Sequence, residues 1–263
     1  MCPYVDLWGL ELPVYGLISV VGILVSATVA FVLAKKKAVD LYDFLITAVV
    51  GGLGLFIGAH LLYALTRTGD IISAFSLYNT FDTTGEFIKY LLDIASGMVF
   101  YGGLYGGLLA GFLWIRHKKH PAGLFADIFA VVIPLFHSFG RVGCFFAGCC
   151  YGVKWEYGIS GRVLNSGVRE LTARFPVQLV EAACLLVLFS LLLVFFLRGK
   201  AQGRLLTVYL ASYAVLRFVL EFFRGDSIRG HLLYLSTSQW ISLLTLIGVG
   251  LYLFLSRRKY AKE

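Results

Sequence analysis

Apolar runs of near-bilayer length, closed one after another by clusters of Lys and Arg, constrain this chain more than any other feature. A helix rises about 1.5 Å per residue, so about 20 mostly apolar residues cross a hydrocarbon core about 30 Å thick. Residues 15–34, 44–65, 94–115, 125–150, 177–197, 205–223 and 240–255 approach that length. Basic residues stop alternate runs: Lys35, Lys36 and Lys37; Arg116, Lys118 and Lys119; Arg198, Lys200 and Arg204; Arg257, Arg258, Lys259 and Lys262. Such clusters mark cytoplasmic ends. Alternating crossings put all four, more than half of the 23 Lys and Arg, on one side. Run count and charge agree independently. The expected fold class is an all-α integral membrane protein of about seven transmembrane helices, with the N-terminus outside and the C-terminus cytoplasmic. Lys37, Lys119, Lys200 and Lys262 then lie inside, and Asp70, Val163 and Asp226 outside. The chain begins Met1-Cys2-Pro3 with no basic n-region, and its first run is long enough to stay in the membrane, so it reads as a span rather than a cleaved leader.

Composition excludes a soluble enzyme. The 263 residues are 59% hydrophobic and 14% charged, where a soluble domain carries about 25% charged residues. The net charge of +8 suggests a nucleic-acid partner only until its positions are read, because the basic residues flank apolar runs. No repeat and no separate soluble domain is visible, so residues 1–263 form a single transmembrane domain with external polar segments at about 67–93 and 151–175. Five cysteines, with Cys144, Cys149 and Cys150 close together, do not suggest a disulfide framework.

Ionisable groups at membrane depth are costly and face a cavity or a partner. Arg141 lies inside the fourth run and Arg217 inside the sixth. Glu221 and Arg224 follow Arg217 at i+4 and i+7, and Tyr213 precedes it by one turn, which places the four on one helical face. One reading is a structural Arg217–Glu221 pair. The other is a positive pocket for the phosphate of an anionic lipid, which guanidinium binds bidentately. The third run is crowded with glycine. Gly102–Gly106 and Gly103–Gly107 suit close helix packing, and Gly102 and Gly103 would also admit a lipid head group to the backbone.

Several stretches in one order resemble the prolipoprotein diacylglyceryl transferases. Gly140-Arg141-Val142-Gly143-Cys144-Phe145-Phe146-Ala147-Gly148-Cys149-Cys150-Tyr151-Gly152 resembles that family's G-R-x-G-N-F-x-N-x-E-x-x-G. Ser96-Gly97-Met98-Val99-Phe100-Tyr101-Gly102-Gly103-Leu104 is similar to its G-G-M-x-F-H-G-G-L. Pro176-Val177-Gln178-Leu179-Val180-Glu181 resembles its H-P-x-Q-L-Y-E, and Tyr213 through Arg224 its Y-x-x-x-R-F…E-F-F-R. Tyr15-Gly16-Leu17 and Ser238-Gln239-Trp240 also match in order. The resemblance implies transfer of the diacylglyceryl group of phosphatidylglycerol to the cysteine thiol of a prolipoprotein signal peptide, giving a thioether and glycerol phosphate. It implies phosphatidylglycerol binding and catalysis at Arg141 and Arg217, and substrate contacts at Tyr15, Tyr213, Glu221, Gly152 and Arg224. The implied setting is a monomer in the bacterial inner membrane that uses no cofactor and no metal and binds no nucleic acid.

The departures fall in the site. The family's histidine is Tyr101 here, its first asparagine Cys144, its second Ala147, and its glutamate Cys149. A phenol, with a reference pKa of about 10, is a weak base at neutral pH. His137 shares a helical face with Arg141 and Cys144 at i, i+4 and i+7 and is a candidate replacement; His60 is another. Cys144 and Cys149 stand where the family contacts substrate. With Cys150 they are packing residues, a reactive thiol near Arg141, or ligands for a soft metal, although their spacing is not C-x-x-C. The acceptor is the prolipoprotein cysteine or, in a diverged relative, another group. The reading from a different class is a non-catalytic lipid-binding or transport protein.

Overall fold

In the computed structural model, residues 4–7, 10–165, 168–225 and 231–260 are described. Cys2, Asp226 and Lys262, invoked above, lie outside them. The chain runs β1 (Tyr4–Leu7), β2 (Leu10–Pro13), α1 (Val14–Lys36), α2 (Leu41–Thr66), α3 (Thr68–Ser76), a 3₁₀ turn (Tyr78–Thr80), α4 (Thr84–Ala95), α5 (Phe100–His117) and α6 (Ala122–Ala147). It continues through β3 (Lys154–Asn165), β4 (Val168–Arg174), α7 (Val177–Leu197), α8 (Leu205–Glu221), β5 (His231–Leu232), β6 (Leu235–Ser236) and α9 (Thr237–Tyr260). Each of the seven apolar runs contains a helix. Five are long and apolar enough to cross a membrane: α1, α2, α6, α7 and residues Thr237–Ser256 of α9. Helices α5 and α8 are shorter and more polar, the first ending in Arg116 and His117, the second carrying Arg217 and Glu221.

The exposed side chains of the spanning helices are apolar. Leu24 and Val32 on α1, Leu53 and Ile57 on α2, Val187 and Leu191 on α7, and Ile247 and Leu251 on α9 are all exposed. Such a surface suits lipid, and the backbone polar groups beneath it are satisfied within each helix. The protein is a multi-pass membrane protein.

The chain forms two compact units, one of them Lys37–Ala122. Its centre is the pairing of α2 with α5. A Cβ added to Gly58 would lie 2.3 Å from the carbonyl oxygen of Gly102, and one on Gly106 would lie 2.3 Å from that of Gly54. Gly103 and Gly107 face Leu55. These glycines therefore allow two backbones to touch, as in other small-residue membrane interfaces. The run at 94–115 is not one helix: α4 ends at Ala95 and α5 begins at Phe100. Between them the Val99 amide donates to the Ala59 carbonyl of α2 (3.2 Å). The Tyr63 ring occupies the space beside Gly97. This bond to α2 gives the Val99 amide its partner between the two helices. Helices α3 and α4 give structure to the polar segment expected near 67–93. Phe87 meets Phe75, Tyr78 and Phe81 edge-on.

The other unit holds α1 and everything from Gly123 onward. Helix α6 is the most buried of the five spanning candidates. Gly22 of α1 lies against Phe139 of α6, and α8 packs against both α7 and α9. Buried Asp127 of α6 accepts from the backbone amides of Gly203 and Leu205 (2.5 and 2.9 Å). Those amides have no partner within α8 itself, so a neighbouring helix supplies the cap and fixes where α8 starts. The segment at 151–175, read only as polar, is an antiparallel β3–β4 hairpin.

Candidate functional site

Three helices bring buried charge to one point. Arg141 of α6 places Nη2 3.0 Å from Oε1 of Glu181 on α7. Arg217 of α8 places Nη1 3.6 Å from Oε2 of the same carboxylate and Nη2 2.6 Å from Oε2 of Glu221. Arg217 Nη2 also donates to Ser238 Oγ (3.4 Å), within the Ser238-Gln239-Trp240 stretch. Tyr213 donates its hydroxyl to Glu181 Oε1 (3.4 Å). Arg141, Glu181, Arg217 and Glu221 are all buried, Glu181 at 1% exposure. Charges so far from water persist only when paired and hydrogen-bonded, and this network provides that pairing.

The pocket read from sequence as positive is thus corrected in one respect: Glu181 and Glu221 offset the charges of Arg141 and Arg217. Arg224 does not continue the face of α8 because the helix ends at Glu221. Instead Arg224 forms a β-bridge with Gly152. Two guanidinium donors exceed what the carboxylates use. Arg141 Nε and Arg217 Nη1 are buried with no hydrogen-bond acceptor among the described residues. Buried donors in this state favour an anion able to accept from both.

The surrounding residues hold this cluster in place. Tyr213 is stacked on Tyr209 (6.0 Å between centroids) and meets the His137 ring edge-on at 5.2 Å. His137, one turn before Arg141, is therefore part of the same packed set. The Tyr15 ring covers Gly143, where an added Cβ would lie 2.9 Å from it. Gly152 sits between two carbonyls: an added Cβ would lie 2.3 Å from the oxygen of Phe175 and 3.0 Å from that of Phe223. Arg174 donates to the Gly152 carbonyl (3.2 Å) and stacks on Tyr151, clamping the chain after α6 to the base of the hairpin. Gln178 of α7 donates to the Cys149 carbonyl (2.8 Å). The sulfurs of Cys144, Cys149 and Cys150 lie within 4.8 Å of one another.

Tyr101, Gly102 and Gly103 belong to the Lys37–Ala122 unit. Tyr101 is buried and stacked on Tyr105. The space beside Gly102 and Gly103 is taken by α2, so what these two glycines display is helix packing. His60, the other histidine considered, meets Phe56 edge-on in that unit. Sequence reasoning placed Glu181 only inside a motif and gave it no role. A signal was present: it is an acidic residue early in a long apolar run.

Fold and cluster together define a class: a multi-pass membrane protein that buries an arginine–carboxylate network suited to an anionic group. The sequence profile of the prolipoprotein diacylglyceryl transferase family matches residues 4–255, and the chain belongs to that family. It is 32% identical over 255 residues to the phosphatidylglycerol–prolipoprotein diacylglyceryl transferase of Clostridium tetani, covering 95% of this chain and 94% of the relative. The second enzyme of that name from Clostridium perfringens is 28% identical, covering 98% and 96%. A relative of the same name from Campylobacter curvus is 30% identical, covering 97% and 94%.

Proposed function

We propose that this chain is a phosphatidylglycerol-dependent transferase that moves the diacylglyceryl group onto the thiol of a prolipoprotein signal-peptide cysteine. The observation that carries the reading is the pair of buried guanidiniums, Arg141 and Arg217, oriented by the single Glu181 carboxylate in a chain of this family. Donor and acceptor are those in the names of relatives aligned over nearly the whole chain.

In this reading Arg141 and Arg217 bind the lipid phosphate and meet the charge that develops on it as the glyceryl C–O bond breaks, an electrostatic role that depends on donors already in place. The new bond is carbon–sulfur, and glycerol phosphate leaves. Glu181 and Glu221 hold the guanidiniums in position, with Tyr213 on the same carboxylate. Tyr15, Gly152 and Arg224 shape the approach, and Cys144 and Cys149 lie beside it. His137 or Tyr101 handles the proton of the acceptor thiol. The chain acts as one domain of 263 residues, a monomer in the bacterial inner membrane. It crosses seven times with its N-terminus outside and its C-terminus cytoplasmic. The basic residues in the last turns of α1 and α5 support that orientation.

The experiment is complementation of a transferase-depleted strain, with the mass of a reporter lipoprotein measured alongside transfer by the purified chain from phosphatidylglycerol to a cysteine-bearing lipobox peptide. A diacylglyceryl thioether on the peptide is the expected product. Phosphatidylglycerol binding without any product would leave a lipid-binding protein and sink the enzymatic reading. A product on a different thiol only would replace the acceptor.

A further inference from the structure

The turn after α6 gathers three sulfurs that packing alone does not require. Cys144 lies in the last turn of α6. The Gly148 amide then donates to the Phe145 carbonyl and the Cys149 amide to the Cys144 carbonyl, both at 3.2 Å. Gly148 has φ 74° and Cys150 φ 56°. The chain doubles back, and three residues that do not look like a metal motif in sequence come together. All three Sγ atoms lie within 4.8 Å of one another. A non-glycine residue in the left-handed region costs about 1–2 kcal/mol. Here the residue held at that cost is a cysteine, although glycine would adopt the turn freely. The loop is also clamped from outside: Gln178 holds the Cys149 carbonyl, the Gly225 amide donates to Tyr151 (3.0 Å), and Arg174 holds Gly152.

Three clustered sulfurs on a fixed loop are a ligand set for a soft cation. Zinc–sulfur bonds of about 2.3 Å place sulfurs about 3.8 Å apart around a tetrahedral ion, within reach of small side-chain rotations from the observed spacing. Among the described residues, no His, Asp or Glu joins the three thiols as a fourth ligand. The three cysteines are half-buried, so the cluster is not sealed. Structural zinc sites have four protein ligands, whereas three with an open position characterise sites that bind and activate a reactant. Cys144 lies one turn beyond Arg141 on α6, so the open position neighbours the guanidinium assigned above to the lipid phosphate.

We propose that Cys144, Cys149 and Cys150 form a three-thiolate zinc site whose fourth position takes the acceptor cysteine as a thiolate. The proposal rests on the transferase reading for the identity of that acceptor. Binding of the ion releases the protons of the three protein thiols to solvent, and binding of the acceptor thiol releases a fourth, which the proton-handling group of the proposed reaction, His137 or Tyr101, takes up. A coordinated thiol is deprotonated outright, which meets the need of the reaction for a sulfur nucleophile. The metal-bound sulfur donates its electron pair to the glyceryl carbon. The carbon–oxygen bond to phosphate breaks, and its electrons leave with the phosphate oxygen as glycerol phosphate. The neutral thioether then dissociates from the ion. No oxidant or reductant enters.

The test uses the full-length chain purified in detergent under anaerobic conditions, with zinc measured by elemental analysis and cobalt(II) as the spectroscopic probe. Expected are about one zinc per chain and, on cobalt substitution, sulfur-to-metal charge transfer with the intense visible bands of a tetrahedral site. A lipobox peptide with cysteine shifts those visible bands, and its serine counterpart does not. Serine at any one of Cys144, Cys149 or Cys150 weakens metal binding at least about 100-fold, while Cys184→Ser, outside the cluster, leaves it unchanged. Cobalt binding by the triple serine variant equal to that of the parent overturns the site. So does recovery of two of the three cysteines as a disulfide with no metal retained. Diacylglyceryl transfer is measured in parallel. Wild-type transfer by the metal-free triple variant removes the zinc site from the reaction and leaves the transferase intact. A peptide-dependent cobalt spectrum with no lipid transfer upholds the thiol-binding site and sinks the transferase reading.

Discussion

Arg141 commits Nη2 to Glu181 and keeps Nε–H without an acceptor among the described residues, the donor that the proposed reaction assigns to the lipid phosphate. Arg217 is held by two carboxylates and a serine hydroxyl and still has Nη1 without a hydrogen-bond acceptor among the described residues. Arg141→Ala or Arg217→Ala lowers transfer at least about 100-fold, the cost of removing one preorganised donor to a developing oxyanion. Lysine at either position recovers little, because an ammonium does not reproduce the planar fork. Transfer rates per folded protein decide this, and near-parental turnover in both alanine variants refutes it. In the proposed reaction His137 and Tyr101 are the two candidates for handling the thiol proton. A general acid–base group contributes about 100- to 10,000-fold, whereas a lost structural hydrogen bond costs about 1 kcal/mol and lowers yield instead. His137→Gln therefore drops turnover at unchanged yield if imidazole moves the proton. Unchanged turnover, with Tyr101→Phe inactive, transfers the role to the phenol.

At the scale of elements, close approach of backbones decides where glycine is needed. Gly140 and Gly152 frame the same signature stretch and differ completely in surroundings. A Cβ on Gly140 meets nothing within 4 Å, and one on Gly152 meets the carbonyl of Phe175 at 2.3 Å. Gly152→Ala lowers stability by about 1–3 kcal/mol, as forced overpacking does. Gly140→Ala raises it by up to about 1 kcal/mol, since alanine is the better helix former. Unfolding midpoints in one detergent compare the two, and equal midpoints refute the backbone contact drawn for Gly152. The helices themselves were legible, because a run of about 20 apolar residues leaves few alternatives in lipid. The break at Ser96-Gly97-Met98-Val99 was not. It depends on Tyr63 lying over Gly97 and on Ala59 accepting from Val99, partners 34 and 40 residues away along the sequence. The β3–β4 hairpin was equally hidden, in a segment that composition marks only as polar.

For the whole molecule, membrane orientation is the property that charge placement predicts most directly. Reporter fusions after Lys37, Lys119 and Lys200 are expected to read cytoplasmic, and fusions at Asp70 and Val163 extracytoplasmic. A contradiction at Lys119 or Val163 removes the seven-span topology. By itself the sequence determined that the chain belongs in a membrane, where its apolar runs begin and end, and which arginines fall inside them, because each of these follows from residue type and order. The tertiary structure decided what those arginines are. Arg141 and Arg217 come from different helices and meet on Glu181 of a third, so a pocket read as positive is an ion-pair network with its carboxylates built in. It also decided that Cys144, Cys149 and Cys150 converge, through a left-handed turn whose geometry their spacing does not encode. Buried charge and clustered sulfur are pairwise properties, and which pairs form is settled only when the helices pack.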